Sequence, residues 1–367
     1  MTLRRTLSKP WFVILGACVL AAVLAWLRFE PVLTRILYTG ERYPGAGSMT
    51  GSLKYEGFDV AAPSSTGQAL AAGSVIAQSR NDFSATVSVI ERPGGTRRWR
   101  TALNTPENFR SVNAVLWSPD DQQVVSNDTD GDVTVLDARS GHVLQRRNVH
   151  TYRPCVFQFV PGGLLQSERD TRNGQTFLTL RSWPALTPVW RIPIDCWDAA
   201  TGNVDASGTL AVVALGDGRR VGVVDLQTRA FRGAIIELPT DAPQLYSLSL
   251  RPDGRQVAGG LRDGTVMVWD LPSGRVRWQF HAHGDLVRAL SWDASGDALA
   301  SSAFGGCGWL KSECVVVTRF SSDAPQSRVV WHHRNNAAQA AVWLKRSTLL
   351  LTESQAVFTV KTGLSEP

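Results

Sequence analysis

The sequence predicts an all-β fold: seven four-stranded antiparallel sheets arranged radially behind a single N-terminal transmembrane helix. Three observations predict it. The 367-residue chain is 43% hydrophobic and 19% charged, the balance of a folded protein. Residues 119–141, "PDDQQVVSNDTDGDVTVLDARSG", match residues 252–274, "PDGRQVAGGLRDGTVMVWDLPSG", at eleven of twenty-three positions without a gap. Residues 11–27, "WFVILGACVLAAVLAWL", carry no charge in seventeen positions.

The basic flank, residues 1–10, holds Arg4, Arg5 and Lys9. The apolar run 11–27 reaches about 25 Å as a helix, the short end of a membrane span. Trp11 and Trp26 stand near its ends, where amphipathic rings favour the headgroup region. A cleaved signal peptide is one rival reading, with Val23-Leu24-Ala25 as its cleavage site. A lipoprotein signal around Leu15-Gly16-Ala17-Cys18 is another. The apolar run continues nine residues past Cys18, which favours an uncleaved signal anchor.

Residues 28–51 form an amphipathic segment and a linker. Phe29, Val32, Leu33, Ile36 and Leu37 keep helical spacing, with Arg28, Glu30 and Arg35 between them. The segment suits a membrane surface or a partner, and equally the chain's own folded part. "TGERYPGAGSMTGS" reads as linker. Residues 1–50 carry six basic residues against Glu30 and Glu41, a net charge of +4, so residues 51–367 hold only +2 of the total +6. A nucleic-acid binder concentrates basic charge on its folded part, so none is expected as partner.

Residues 52–363 carry the repeat. The 133-residue offset is three periods of about 44, and weaker copies fall between its ends. "DASGTLAVVALGDGRRVGVVDLQT" repeats the turns from Asp205, and "VPGGLLQSERDTRNGQTFLTLRSW" keeps the apolar positions from Val160. "DASGDALASSA" from Asp293, "LKRSTLLLTESQAVFTVKTG" and "STGQALAAGSVIAQ" supply further copies. Each unit reads as three short alternating strands and a fourth, an antiparallel meander. Trp99, Trp190, Trp278 and Trp331 recur in phase, in the expected fourth strand. One such sheet cannot bury both its faces, so the units stack radially. Seven fit; eight fit only if residues 40–60 hold more strand.

"SPDD…DGDVTVLD" and "RPDG…DGTVMVWD" resemble the WD-repeat β-propeller family over about residues 52–363. The resemblance implies a seven-bladed β-propeller. It also implies a structural blade motif: turn aspartates Asp130, Asp217 and Asp263, strand-end aspartates Asp137, Asp225 and Asp270, Trp269, and His283 opening the next unit. In the family a His, a Ser or Thr, a turn Asp and the Trp form a buried hydrogen-bonded set. Here Gly259 holds the hydroxyl position beside Trp269, and the unit after His283 lacks a Trp-Asp pair. "GTRRW" and "GRVRW" are also similar to quinoprotein-type propellers.

Cys307 and Cys314 bracket six residues, a spacing that suits a disulfide closing a short loop; Cys155 and Cys196 are a second candidate pair. Free thiols in a reducing compartment are the alternative. The cysteines and a slight charge bias across the apolar run together favour an extracytoplasmic, periplasmic propeller. His281 with His283, and His332 with His333, are the only donors spaced for a metal, and no carboxylate cluster flanks them. Nucleophile-elbow, phosphate-loop and zinc-protease motifs are absent. The expectation is a non-enzymatic scaffold subunit without cofactor, docking on or stabilising a membrane complex. A propeller sensing a glycan or peptide, or an enzyme using the central channel, are the alternatives.

Overall fold

The structure, a computed structural model, describes residues 42–44, 55–79, 82–103, 111–150, 153–197, 200–303, 313–321, 324–333, 338–345, 347–353 and 356–364. The expected anchor 11–27, with Trp11 and Trp26, lies outside them. Among the described residues no helix is long and apolar enough to cross a membrane.

Among the described residues, twenty-eight strands form seven four-stranded antiparallel sheets. Strand β1 is Arg42–Pro44. Blade 1 holds β2–β5: Tyr55–Pro63, Ala69–Ser79, Asp82–Glu91 and Arg97–Ala102. Blade 2 holds β6–β9: Val112–Trp117, Gln123–Asp128, Asp132–Asp137 and Val143–Asn148. Blade 3 holds β10–β13: Phe157–Val160, Gly163–Arg169, Thr176–Arg181 and Pro188–Pro193. Blade 4 holds β14–β17: Leu210–Leu215, Arg220–Asp225, Ala230–Phe231 and Ile236–Glu237. Blade 5 holds β18–β21: Leu245–Leu250, Gln256–Leu261, Thr265–Asp270 and Arg275–His281. Blade 6 holds β22–β25: Val287–Trp292, Ala298–Ala303, Glu313–Phe320 and Pro325–His333. Blade 7 combines β26–β28 (Ala338–Lys345, Thr348–Glu353 and Ala356–Lys361) with β1, in the order β1-β28-β27-β26.

Seven sheets settle the blade count, and β1 corrects the expected boundary. The stretch 28–51 is not linker throughout. Arg42, Tyr43 and Pro44 pair with Phe358, Val357 and Ala356, so an N-terminal strand completes the last blade and closes the ring. Three residues are too few to show a period-two pattern, which hides this strand in the sequence.

Burial changes from strand to strand for a physical reason. Each sheet lies between two others, so its middle strands are covered on both faces. Strands β14 and β23 are buried along their whole length. The outer strands alternate instead, as β9 and β13 do. The alternation expected of three strands per unit therefore weakens in the middle ones, where "LAVVAL" is apolar throughout. Buried clusters fill the gaps between consecutive sheets, such as Val87, Trp99, Val124 and Leu136 between blades 1 and 2.

Tryptophans tie the sheets together. Trp99, Trp190, Trp278 and Trp331 all lie in outer strands. Trp99 donates from Nε1 to Ala138 O of blade 2 at 2.8 Å. Its ring also fills the space beside Gly141, where a Cβ would stand 2.5 Å from Trp99 Cδ2; the Gly141 φ of +74° excludes most other residues as well. A second set stands near the ends of first strands. Trp117, Trp292 and Trp343 donate to Ala62 O, Ser249 O and Ser291 O, each on the first strand of the preceding blade.

Blade 4 departs from the pattern. Its innermost position is held by Cys196 and Val204 through isolated bridges, to Leu215 and Ala211. Thr201 bridges in parallel to Ser247 of blade 5. A disulfide between Cys155 and Cys196 fixes this irregular segment to the entry of blade 3. Gly202 N–H reinforces it by donating to Cys155 O at 2.7 Å.

Candidate functional site

The blade-motif aspartates organise turns. Asp137 Oδ1 accepts the Ser140 hydroxyl and N–H at 2.6 and 2.7 Å, bonds that hold its carboxyl below the usual range. Asp225 Oδ1 accepts Gln227 N–H and Thr228 N–H at 2.9 and 2.8 Å and is lowered for the same reason. Asp270 accepts the Gln256 side-chain amide at 2.7 Å. Asp217 and Asp263 are exposed and accept the N–H two residues on, from Arg219 and Thr265. In blade 2 the buried carboxylate is Asp128, which accepts Asp130 N–H and Asp132 N–H at 3.0 Å each; Asp130 itself is exposed. The turn aspartates singled out from the sequence thus shape loops, and the buried set that the resemblance implies does not include Asp263.

The remaining members of that set divide between two blades. In blade 6, His283 Nε2 lies 2.8 Å from Ser301 Oγ, and Nδ1 lies 3.2 Å from Cys314 Sγ. Cys314 is disulfide-bonded, so its sulfur carries no proton. With no proton on the sulfur, Nδ1–H donating to Sγ leaves Nε2 to accept from the Ser301 hydroxyl, which also lies 3.4 Å from Val316 O. Burial, with the neighbouring His281 charge, pushes the His283 pKa down to about 4, so the imidazole is neutral. In blade 5, Trp269 is buried, and a Cβ on Gly259 would stand 2.7 Å from its Cζ3. The indole occupies the volume that a hydroxyl side chain would need. Register gives the complement: Thr318 of blade 6 stands where Trp269 does, opposite the second residue of the neighbouring strand.

Cys307, the expected partner of Cys314, lies outside the described residues, whereas the second candidate pair, Cys155 and Cys196, is joined. Among the described residues no group of three or more His, Cys, Asp or Glu is placed to hold a metal ion. His281 is exposed on β21, and the side chains of His332 and His333 lie outside the described residues.

The first strands of the blades line a central channel of about 650 Å³. One local device recurs along it. Pairing between first and second strands skips one residue per blade, at Asp59 in blade 1, Asn113 in blade 2, Tyr246 in blade 5 and Arg288 in blade 6. Such bulges re-aim the extra side chain. All four residues line the channel, together with Arg153 and Gln158 of blade 3 and Asn203 of blade 4. Arg153 Nη1 donates across the channel to the Tyr246 hydroxyl at 3.4 Å. Burial would raise the Tyr246 pKa, but that hydrogen bond and the charges of Arg153, Arg288 and Arg262 outweigh it and lower the pKa. Burial pushes Asp59 up to about 6 against the opposing pull of Arg288, and its Oδ2 is buried without a hydrogen-bond partner.

Sequence reading missed this cluster. Its signal is a triplet that starts the first strand in three blades, Val112-Asn113-Ala114, Leu245-Tyr246-Ser247 and Val287-Arg288-Ala289, and stands inside it in blade 1, Phe58-Asp59-Val60. The polar residue looks unremarkable until the strands are registered against their partners. At the other end, the first turns of blades 2 to 6 frame a groove of about 710 Å³, with Phe159, Trp183 and Trp292 as its aromatic lining and Pro119, Pro161 and Pro252 among its turn residues.

Residues 235–270 match the family described as WD domain, G-beta repeat. The match spans β17 of blade 4 and β18–β20 of blade 5, so the repeat begins on the outer strand of one blade and ends within the next. The same offset makes β1 the outer strand of blade 7. The chain folds as a seven-bladed β-propeller, and one stretch of it, in blades 4 and 5, is similar to the WD-repeat family.

Proposed function

We propose that this propeller is a membrane-anchored scaffold subunit. It docks on, or stabilises, a membrane protein complex from the extracytoplasmic side. The observation that carries this reading is the closed ring itself: its strands are locked sheet to sheet, so its loops make two rigid, broad faces. Rigid faces reduce the ordering cost of association. The uncharged run 11–27 supports the anchor. The Cys155–Cys196 disulfide supports the compartment, because disulfides persist where the surroundings are oxidising. The turn-framed groove supplies apolar and aromatic surface of the kind enriched at interface cores.

Extraction of the full chain in mild detergent, followed by identification of co-purifying proteins, tests the reading. A stoichiometric membrane-protein partner is expected. Ala294→Arg, which puts a long charged side chain at an exposed groove position, should reduce that partner's recovery at least tenfold while the variant accumulates normally. Absence of any stoichiometric partner contradicts it.

A further inference from the structure

We propose that the bulge-lined end of the channel binds a small organic oxyanion, a carboxylate or phosphate that also carries a hydroxyl or amine. The argument begins with charge. Arg153 and Arg288 line one channel, and the charges of both, with that of Arg262, act on Tyr246. Like charges that line one channel repel one another. Asp59 offsets part of that charge through Arg288, and planar guanidinium groups match the oxygens of a carboxylate or phosphate ligand in pairs.

The neutral lining points the same way. Gln158 Oε1 accepts Val204 N–H at 3.1 Å, and Asn203 Oδ1 accepts Leu250 N–H at 2.6 Å. Each amide oxygen already accepts one backbone N–H, so the NH2 groups are the part of these side chains that these backbone bonds do not engage. Tyr246 adds a phenolic hydroxyl. The wall is therefore rich in donors. Asp59 is the exception, and it makes the ligand more specific: a buried carboxylate oxygen without a partner needs a donor, which a hydroxyl or amine on the ligand supplies. A volume of about 650 Å³ falls within the range of small-molecule sites. The bulges are the structural basis of the arrangement, because each re-aims a polar residue from a strand whose neighbours pack between sheets.

The site is independent of the partner-docking reading, since it occupies the channel and needs neither the groove nor a membrane. The test is calorimetric titration of the detergent-solubilised full chain with citrate, glucose 6-phosphate and inorganic phosphate, with glucose as the uncharged control. Citrate separates carboxylate from phosphate recognition, and inorganic phosphate tests whether the ligand hydroxyls matter. Saturable binding of citrate or glucose 6-phosphate with a Kd below about 1 mM is expected, with none for glucose. Arg153→Gln and Arg288→Gln should each weaken it at least tenfold, and Arg288→Lys less than Arg288→Gln. Tyr246→Phe, which removes one hydroxyl, should weaken it several-fold. Failure of both organic anions to bind the unmodified protein overturns the proposal, whatever the variants do. So does binding that is unchanged in a folded Arg153→Gln/Arg288→Gln double variant.

Discussion

His283 shows how a single residue can be legible in kind and still differ in context. Its position after an outer strand marked it as a turn histidine, and the structure supplies Ser301 and Cys314 as its partners. The pairing was hidden because Ser301 lies in the next unit's second strand, where nothing local distinguishes it from Ser302. Gly259 is the converse: its departure from the family pattern was visible, but the reason, an indole filling the space, is a packing fact. The depressed His283 pKa has a consequence for stability. Folded-state pKa is about 4 and the ordinary value about 6.5, so between these pH values the unfolded chain binds more protons. The contribution is complete above about pH 6.5 and is lost as pH falls to 4. Asp59, raised to about 6, acts in the opposite direction over much the same window, being neutral in the fold where the unfolded chain is charged. The comparison with His283→Gln, which leaves Asp59 in place, isolates the histidine. From pH 7 to pH 4 the unmodified protein should lose about 3 kcal/mol more stability than the variant, measured by chemical denaturation.

At the scale of elements, the long self-matching stretches gave away blades 2 and 5, because their turns are built from Asp and Gly at fixed offsets. Blade 4 was legible only in its second and third strands. The segment ahead of them, "DCWDAATGNV", has no strand period, and isolated bridges and the Cys155–Cys196 disulfide hold it in place. Spacing along the chain singles out a local pair such as Cys307 and Cys314, but it carries no information on blade adjacency, so Cys155 and Cys196, 41 residues apart, rank second as a candidate pair. Closing a loop of that length lowers the unfolded chain's entropy by an amount equivalent to about 4 kcal/mol in the chain-entropy account. The double variant Cys155→Ser/Cys196→Ser should therefore be destabilised by about 2–4 kcal/mol in denaturant titrations. Proteolysis of the variant should begin near residues 195–204, where backbone pairing is sparsest among the inner segments. Unchanged stability would mean that the hydrogen bond from Gly202 to Cys155 and the bridges alone hold the segment.

For the whole molecule, the sequence foretold a seven-bladed ring but misplaced its start, and the misplacement matters. A chain truncated to begin at Gly51 removes β1 and leaves the last blade with three strands; one beginning at Gly40 keeps the closure. The Gly40 chain should melt several degrees higher, by calorimetry, and resist exchange of the Ala356–Lys361 amides. Equal melting temperatures would show that β1 contributes nothing to closure. The channel cluster was illegible for a related reason: its members come from separate blades, and only the ring brings them together. The scaffold reading rests on an exported ring with blades 3 and 4 stapled at their inner edge, and one measurement addresses that directly. Intact cells are treated with a membrane-permeant alkylating agent to block free thiols, the full chain is isolated from membranes, and its peptides are mapped without reduction. The account predicts a peptide pair joined through Cys155 and Cys196, with neither residue alkylated. Recovery of both as alkylated single peptides would contradict the disulfide and, with it, the extracytoplasmic placement of the propeller.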